Sequence, residues 1–249
     1  MVKIGIFDSG IGGLSIVQEI ITVPGFEFIY FADTLHMPYG KRAAQEIQAL
    51  TYKGVQQLVY KGCSIVIIAC HTASTNALAY LKEQFPAIYF IDVVALIIQQ
   101  ALTTTKNGII GIIGTEATIA TQLHKKELLH FNPQLKIIEK ACPQLATAIE
   151  NEYSEQNKIA SLLDSYLETF LPTTIDTLLL GCTHYALIKE LILRYFNASS
   201  IILVSPESSV RELLIKINNN IKTPSHIQWL VTGNYTDFKK IIGHFGFTA

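Results

Sequence analysis

The 249-residue sequence is poor in charge, in cysteine and in long apolar runs, and each shortage excludes a class of protein. Only 16% of the residues are charged, the net charge is -1 and no basic run occurs, so binding to nucleic acid or to an acidic membrane has little electrostatic support. No apolar run reaches the length that spans a bilayer. Four cysteines in a chain of this length do not indicate a disulfide framework. The N-terminal apolar stretch meets Asp8 too early for a signal peptide, which predicts a cytoplasmic location.

Short apolar runs alternate with helix-like segments, and 49% of the residues are hydrophobic, enough for one large core or two modest ones. This alternation predicts an α/β fold with mainly parallel sheets flanked by helices. The predicted strands are Lys3 to Phe7, Phe26 to Ala32, Ser64 to Ala69, Tyr89 to Val94, Ile110 to Thr115, Leu135 to Lys140, Leu178 to Leu180, Ile201 to Val204 and Gln228 to Thr232. The predicted helices are Ser15 to Ile21, Lys41 to Lys61, Ala73 to Phe85, Thr118 to Phe131, Asn151 to Phe170, Tyr185 to Phe196, Ser209 to Ile217 and Asp237 to His244.

The sequence contains one motif at two places. Val66 to Thr72 and Leu178 to His184 each begin with an apolar run, reach a small residue and continue through a cysteine into polar residues. Such a run is typical of a strand buried on both faces of a parallel sheet. The motif therefore predicts that Cys70 and Cys182 follow two equivalent strands, each just before a helix, at the sheet edge where ligands bind in open α/β proteins.

The repeat extends beyond the cysteines. Ile110 to Thr115 resembles Ile4 to Ser9, and each precedes its cysteine motif by a similar interval. This order predicts two similar α/β domains, the first formed by residues 1–96 and 208–249 and the second by residues 97–207. No stretch rich in proline or serine separates them, so we expect close packing with an active site in a cleft between the domains.

Two thiols on opposite sides of a cleft suit racemisation at an α-carbon, in which one removes a proton and the other returns one to the opposite face. A cysteine acts as a base only as its thiolate, and a helix N-terminus lowers the pKa of a thiol. We therefore expect lowered pKa values at Cys70 and Cys182, with Asp8 and His184 as the neighbouring groups that assist proton transfer.

Several blocks, in order from Lys3 to about Ser205, resemble the glutamate racemases of the cofactor-independent aspartate/glutamate racemase family. They are Asp8 to Ser15, Ala32 to Thr34, Pro38 to Gly40, Cys70 to Ser74, Gly114 to Thr115, Ala141 to Pro143 and Gly181 to Tyr185. The resemblance implies two α/β domains, conversion between L- and D-glutamate without a cofactor or metal, and a role in supplying D-glutamate for bacterial peptidoglycan. The only partner it implies is the small-molecule substrate, and it leaves a homodimer open.

The resemblance also implies roles for individual residues. Cys70 and Cys182 are the two acid/bases, supported by Asp8 and His184 respectively. Asp33 and Glu150 match acidic site residues of the family. The positions that match substrate contacts are Asp8, Ser9, Pro38, Tyr39, Gly40, Cys70, His71, Thr72, Cys182, Thr183 and His184.

His71 departs from the family pattern, which has asparagine at this position. Its imidazole N–H can replace the amide N–H toward substrate, its positive charge when protonated can favour the Cys70 thiolate, or its bulk can shift the pocket to another acid. We favour the first, because Thr72 and Ser74 keep the pattern of glutamate enzymes.

Simpler interpretations stay open for several of these residues. A cysteine that ends a strand is usually part of the core, which we expect for Cys63 and Cys142. Asp8 can cap the following helix, Asp33 can be a turn residue, and Glu150 can be a solvated helix charge.

Three functions compete with glutamate racemisation. Cys70, His71, Cys182 and His184 together have the donors of a zinc site, although adjacent residues rarely bind one metal. A two-lobed amino-acid sensor would bind its ligand without exchanging the α-proton. A related enzyme would racemise another amino acid, such as aspartate, or decarboxylate; the presence of both thiols disfavours a decarboxylase.

Overall fold

The computed structural model describes residues 1–152, 155–196, 201–218 and 221–248. The strands are β1 (Val2–Asp8), β2 (Phe26–Ala32), β3 (Ile65–Ile68), β4 (Tyr89–Asp92), β5 (Ile109–Gly114), β6 (Lys136–Ala141), β7 (Thr177–Gly181), β8 (Ile202–Val204) and β9 (His226–Val231). The helices are α1 (Leu14–Ile20), α2 (Ala44–Tyr60), α3 (His71–Gln84), α4 (Val93–Thr104), α5 (Glu116–Ala120), α6 (Leu123–Phe131), α7 (Leu145–Glu152), α8 (Gln156–Leu167), α9 (Thr183–Ala186), α10 (Lys189–Tyr195), α11 (Glu207–Ile217) and α12 (Tyr235–His244). Short 3-10 helices cover Tyr39–Lys41 and Glu168–Phe170.

The strands form two parallel sheets whose orders correspond. The first has the order β4-β3-β1-β2-β9 and the second the order β6-β5-β7-β8. In each sheet the first strand, β1 or β5, lies between the next two strands along the chain. The two helix-flanked parallel sheets confirm the predicted α/β fold class, with β3 and β7 as equivalent strands. The C-terminal strand β9 pairs with β2 in the first sheet. The domain boundaries at residues 96 and 207 stay a prediction.

This strand order creates the same kind of ligand-binding crevice twice. From β1 the chain goes to β2 on one side and later to β3 on the other, and β5 has the same relation to β6 and β7. Connections that leave a central strand in opposite directions open a crevice at the carboxyl ends of the strands, where α/β proteins bind ligands. Asp8 and Cys70 lie at that edge of the first sheet, and Gly114 and Cys182 lie at that edge of the second.

The central strands are buried on both faces, which explains their continuous apolar sequences. Ile6 of β1 and Ile112 of β5 share one apolar core that is common to both sheets. Phe7 belongs to a second core under the first sheet, and Ile113 to a third under the second sheet. The halves therefore pack against each other through a common apolar core, so the edges that carry the cysteines are held in a defined relation.

The predicted strand from Tyr89 to Val94 is wrong in its last residues. The strand ends at Asp92, whose side chain caps α4 by accepting hydrogen bonds from the backbone nitrogens of Val94 at 2.9 Å and Ala95 at 3.3 Å. Helix α4 itself was not predicted. Its sequence is apolar on almost every side, and a short apolar run does not distinguish a buried helix from a strand by periodicity.

Several predicted helices are also corrected. The helix predicted from Thr118 to Phe131 is broken at Gln122, which has the left-handed φ of 54° and separates α5 from α6. The helix predicted from Tyr185 to Phe196 is likewise two helices, α9 and α10. The helix predicted from Asn151 includes residues 153–154, which lie outside the described residues; beyond them α8 ends at Leu167, and α7 was not predicted. Helix α2 begins at Ala44 rather than Lys41, after the 3-10 turn.

Candidate active site

A cavity lies at the carboxyl edges of the strands and is lined by residues that follow strands of both sheets. The predicted site residues that line it are Ser9, Pro38, Tyr39, Gly40, Cys70, His71, Thr72, Cys182, Thr183 and His184. Asp8, Asp33 and Glu150 do not line it; each contacts residues that do. Both thiols therefore open onto one cavity, while the carboxylates lie behind its wall.

Cys70 directly precedes α3 and is 5% exposed. Its Sγ lies 3.4 Å from Ser9 Oγ, which comes from the loop after β1. Burial, reinforced by the charge of Asp8, raises the pKa of the Cys70 thiol to about 12. The expectation of a lowered pKa at Cys70 is therefore wrong, because the loss of hydration outweighs the helix N-terminus. At neutral pH Cys70 is a thiol, and its thiolate is a strong base once formed.

Asp8 connects the two halves of the site behind the cavity wall. It is completely buried at the end of β1, where Oδ1 accepts a hydrogen bond from Gly10 N at 2.9 Å. Its Oδ2 accepts one from Thr183 Oγ1 at 3.1 Å, across from the second sheet. Helix α1 begins only after Gly13 and has no side-chain cap, so Asp8 stabilises the glycine-rich turn and does not cap the helix. Burial raises the pKa of Asp8 to about 6.

Cys182, His184 and Glu150 form a buried relay on the other side of the cavity. Cys182 Sγ lies 3.8 Å from His184 Nδ1, and His184 Nε2 donates to Glu150 Oε2 at 2.6 Å. Glu150 Oε2 also accepts from Ile11 N at 3.0 Å, which fixes the carboxylate against the glycine-rich turn. Burial alone lowers the pKa of His184, but the hydrogen bonds to Cys182 and Glu150 and the charge of Glu150 hold it well above its usual range. A protonated His184 can therefore donate to the Cys182 sulfur at neutral pH.

Asp33 holds the loop that forms one wall of the cavity. Its carboxylate accepts hydrogen bonds from Tyr39 Oη at 2.6 Å, from His36 Nδ1 at 2.8 Å and from Thr232 Oγ1 at 2.7 Å. The Tyr39 contact positions the Tyr39–Gly40 segment, and the Thr232 contact ties it to the end of β9. Asp33 is thus placed to orient the wall rather than to meet a ligand.

The hydroxyl groups of Thr115 and Thr118, which have no role in the sequence analysis, meet that of Thr72 beside Cys70. Thr72 Oγ1 lies 2.8 Å from Thr115 Oγ1 and 3.1 Å from Thr118 Oγ1, and the last two lie 2.9 Å apart. Thr115 belongs to the block Gly114 to Thr115, which resembles the racemase family, whereas nothing in the local sequence distinguishes Thr118. Only the packing of α5 against α3 brings it to this cluster.

His71 lies beside Cys70 on the cavity wall and contacts a residue that sequence reasoning missed. Its Nδ1 is 3.4 Å from Nε2 of His124, which comes from α6, and its own Nε2 has no hydrogen-bond partner among the described residues. Both imidazoles are almost completely buried, at 1% exposure. No pattern around His124 in the sequence marks it as part of a site.

The geometry gives no support to the zinc alternative. Among residues 1–152, 155–196, 201–218 and 221–248, no three side chains of His, Cys, Asp or Glu are grouped so that they can hold a metal ion.

Within the same ranges, no helix combines the length and the apolar character needed to cross a bilayer.

Comparisons with known proteins agree with this geometry. The model of the Asp/Glu/hydantoin racemase family matches residues 20–208. Glutamate racemase 1 of Caldanaerobacter subterraneus is 33% identical over 248 residues, which cover 97% of this chain and 91% of that protein. Glutamate racemase of Trichodesmium erythraeum is 35% identical, with 95% of this chain and 88% of that protein covered.

Solved structures show the same likeness across the whole fold. A glutamate racemase isoform from Bacillus anthracis superposes with a TM-score of 0.91 at 29% identity, covering 99% of this chain and 95% of that one. Glutamate racemase from Francisella tularensis, solved in complex with D-glutamate, gives a TM-score of 0.86 at 30% identity, with coverage of 98% and 93%. The family match and the identity over nearly the full length show that this chain belongs to the Asp/Glu/hydantoin racemase family.

Proposed function

We propose that this chain interconverts L- and D-glutamate by a two-base mechanism, with Cys70 and Cys182 as the two acid/bases. The observation that carries the proposal is that two thiols, each at the end of an equivalent strand, open onto one cavity and have separate assisting groups. The full-length similarity to glutamate racemases supports glutamate as the substrate. In a bacterium this reaction would supply D-glutamate for peptidoglycan.

The reaction needs one proton transfer on each face of the α-carbon. The thiolate on one side takes the α-proton and becomes a thiol, and the electron pair stays on the substrate. The thiol on the other side gives its proton to the opposite face and becomes a thiolate. By resemblance, Cys70 acts on D-glutamate and Cys182 on L-glutamate.

The groups that assist proton transfer differ between Cys70 and Cys182. Burial, reinforced by the charge of Asp8, raises the pKa of Cys70, so its thiolate has to be formed at the moment of reaction. Asp8, whose pKa is raised by burial to about 6, is ionised at neutral pH, and we assign it as the group that assists loss of the Cys70 proton. A protonated His184, oriented by Glu150, stabilises negative charge at Cys182 and can replace its proton. Ser9, Tyr39, Gly40, Thr72 and Thr183 are proposed to hold the substrate's carboxylates and amine.

Proton NMR in deuterated water tests the function directly. The purified protein is incubated with a panel of L- and D-amino acids and no added pyridoxal phosphate. We expect the α-proton signal of both glutamate enantiomers to disappear as racemisation incorporates deuterium. Exchange with aspartate alone would favour the aspartate alternative, and binding of glutamate without exchange would favour the sensor.

The cytoplasmic location, the domain boundaries and a homodimer stay predictions.

His71→Asn is expected to retain glutamate racemisation with a modest change in its pH profile. An asparagine amide can supply the N–H that we assign to the imidazole, and the rest of the wall is unchanged. The measurement compares the native and variant proteins on glutamate and aspartate across pH. If the native protein ignores glutamate and the variant acts on it, His71 is a specificity switch and glutamate is the wrong substrate.

Gly12→Ala is expected to lower glutamate racemisation about 10²-fold, because a displacement of about 1 Å in a catalytic group has that effect. A Cβ at Gly12 would lie 2.7 Å from Nδ1 and 2.8 Å from the backbone nitrogen of His184, so the glycine turn and α9 would have to separate. Gly243→Ala in α12 is the matched control, since no heavy atom lies within 4 Å of its added Cβ. Equal activity of the two variants would show that the close approach at Gly12 is not needed.

A further inference from the structure

His71 lies beside the proposed thiol chemistry, and its partner His124 has no role in the proposed function. Their nitrogens Nδ1 and Nε2 are 3.4 Å apart, and the rings are stacked with centroids 5.6 Å apart at an interplanar angle of 22°. His71 lines the cavity and His124 lies behind it. The contact joins α3 to α6 and fixes the plane of the His71 ring at the cavity wall.

His71 has one polar atom without a partner. Its Nε2 is buried and makes no hydrogen bond within the described residues, whereas Nδ1 faces His124. A buried polar atom left without a partner costs free energy, so native proteins rarely leave one. His71 lines the cavity, so a substrate that packs against its ring can supply the missing partner.

Both imidazoles are neutral at neutral pH. Burial and the neighbouring His124 hold the pKa of His71 well below its usual range, and burial lowers the pKa of His124 to about 4. A neutral imidazole has one N–H and one acceptor nitrogen. The pair can therefore form one N–H···N hydrogen bond in either of two directions, and the direction decides whether His71 Nε2 is a donor or an acceptor.

Resting on the proposed function, we propose that His124 is a positioning residue for substrate binding. Its Nε2–H donates to His71 Nδ1, so that the proton of His71 is on Nε2 and is donated to a carboxylate oxygen of the substrate. The opposite direction would place the Nε2 lone pair against an anionic carboxylate. Charge-assisted hydrogen bonds are stronger than those between neutral groups, so an anionic substrate selects the donor arrangement.

The tautomer of His71 can be observed directly. Native protein labelled with 15N-histidine is saturated with glutamate at its racemic equilibrium, and the His71 signals are assigned by their loss in His71→Asn. We expect long-range 1H–15N spectra to show the proton on Nε2 of His71 and on Nε2 of His124. A proton on Nδ1 of His71 in the glutamate-bound protein would overturn the proposal.

Two substitutions of similar size separate the hydrogen bond from packing. His124→Leu cannot donate, and we expect about a threefold to tenfold rise in KM for glutamate with little change in kcat, the range that one ordinary hydrogen bond corresponds to. His124→Gln keeps an N–H near the same position and is expected to restore most of the affinity. In the His71→Asn background, His124→Leu should have almost no effect on KM, because the group it positions is gone.

The outcomes distinguish this proposal from the proposed function. A native protein that exchanges no α-proton of glutamate overturns both. A native protein that racemises glutamate while His71 carries its proton on Nδ1, or while His124→Leu raises KM equally in both backgrounds, overturns the role of His124 alone.

Discussion

Replacing either Cys70 or Cys182 with serine is expected to abolish glutamate racemisation, a loss of about 10⁴-fold, the upper end of what a positioned acid or base contributes. A serine hydroxyl is far less acidic than a thiol and provides neither the base nor the acid at neutral pH. If each thiol serves one face of the α-carbon, each variant retains at most exchange of the α-proton of one enantiomer. We expect Cys182→Ser to keep exchange with D-glutamate and Cys70→Ser to keep exchange with L-glutamate, measured by proton NMR in deuterated water.

Cys63→Ser is the matched control for both variants. Cys63 is a buried cysteine outside the cavity lining, so its replacement changes a core thiol without touching the site. We expect it to racemise glutamate at the native rate, and thermal unfolding followed by circular dichroism checks that all three variants are folded. Full racemase activity in Cys70→Ser or Cys182→Ser would reject the two-base mechanism.

The second large effect is expected at the groups behind the thiols. Asp8→Asn and His184→Asn should each lower kcat by about 10²–10⁴-fold, the usual contribution of assisted proton transfer, while KM for glutamate changes much less. Asp8 lies behind the cavity wall, and His184 is held between Cys182 Sγ at 3.8 Å and Glu150 Oε2 at 2.6 Å. Steady-state kinetics in both directions measure the two constants. A rise in KM alone would mean that these residues bind substrate instead.

The raised pKa of Asp8 predicts how kcat/KM changes with pH on the acid side. Its pKa is raised to about 6 by burial, so the carboxylate needed beside Cys70 is lost as the pH falls through that value. We expect kcat/KM of the native protein to decline below about pH 6, because this parameter reports groups of the free protein. The decline should disappear in Asp8→Asn, whose side chain does not titrate. Its persistence in that variant would assign the decline to another group.

Local patterns in the sequence were enough to predict the parallel sheets and the placement of the thiols. Cys70 and Cys182 each follow a fully apolar run, and a run of that kind forms a strand buried on both faces wherever it lies in the chain. The small residue, the cysteine and the helix start are adjacent in sequence, so their order along the backbone carries over directly. Element ends are less predictable from local patterns. The strand predicted to Val94 ends at Asp92, which caps α4, and the helix predicted from Thr118 is broken by the left-handed backbone of Gln122.

Contacts between distant parts of the chain were decided only by the tertiary structure. Thr183 reaches Asp8 from the opposite sheet, Glu150 orients His184, and His124 meets His71, each across a separation along the chain that no local pattern encodes. The protonation of the site depends on the same packing. Cys70 directly precedes a helix, whose N-terminus by itself lowers a thiol pKa, but folding removes Cys70 from water and raises that pKa to about 12. The sequence by itself thus determined which groups lie at the strand ends. Their partners and their charge were decided by the tertiary structure, because only folding removes these groups from water and brings distant segments into contact with them.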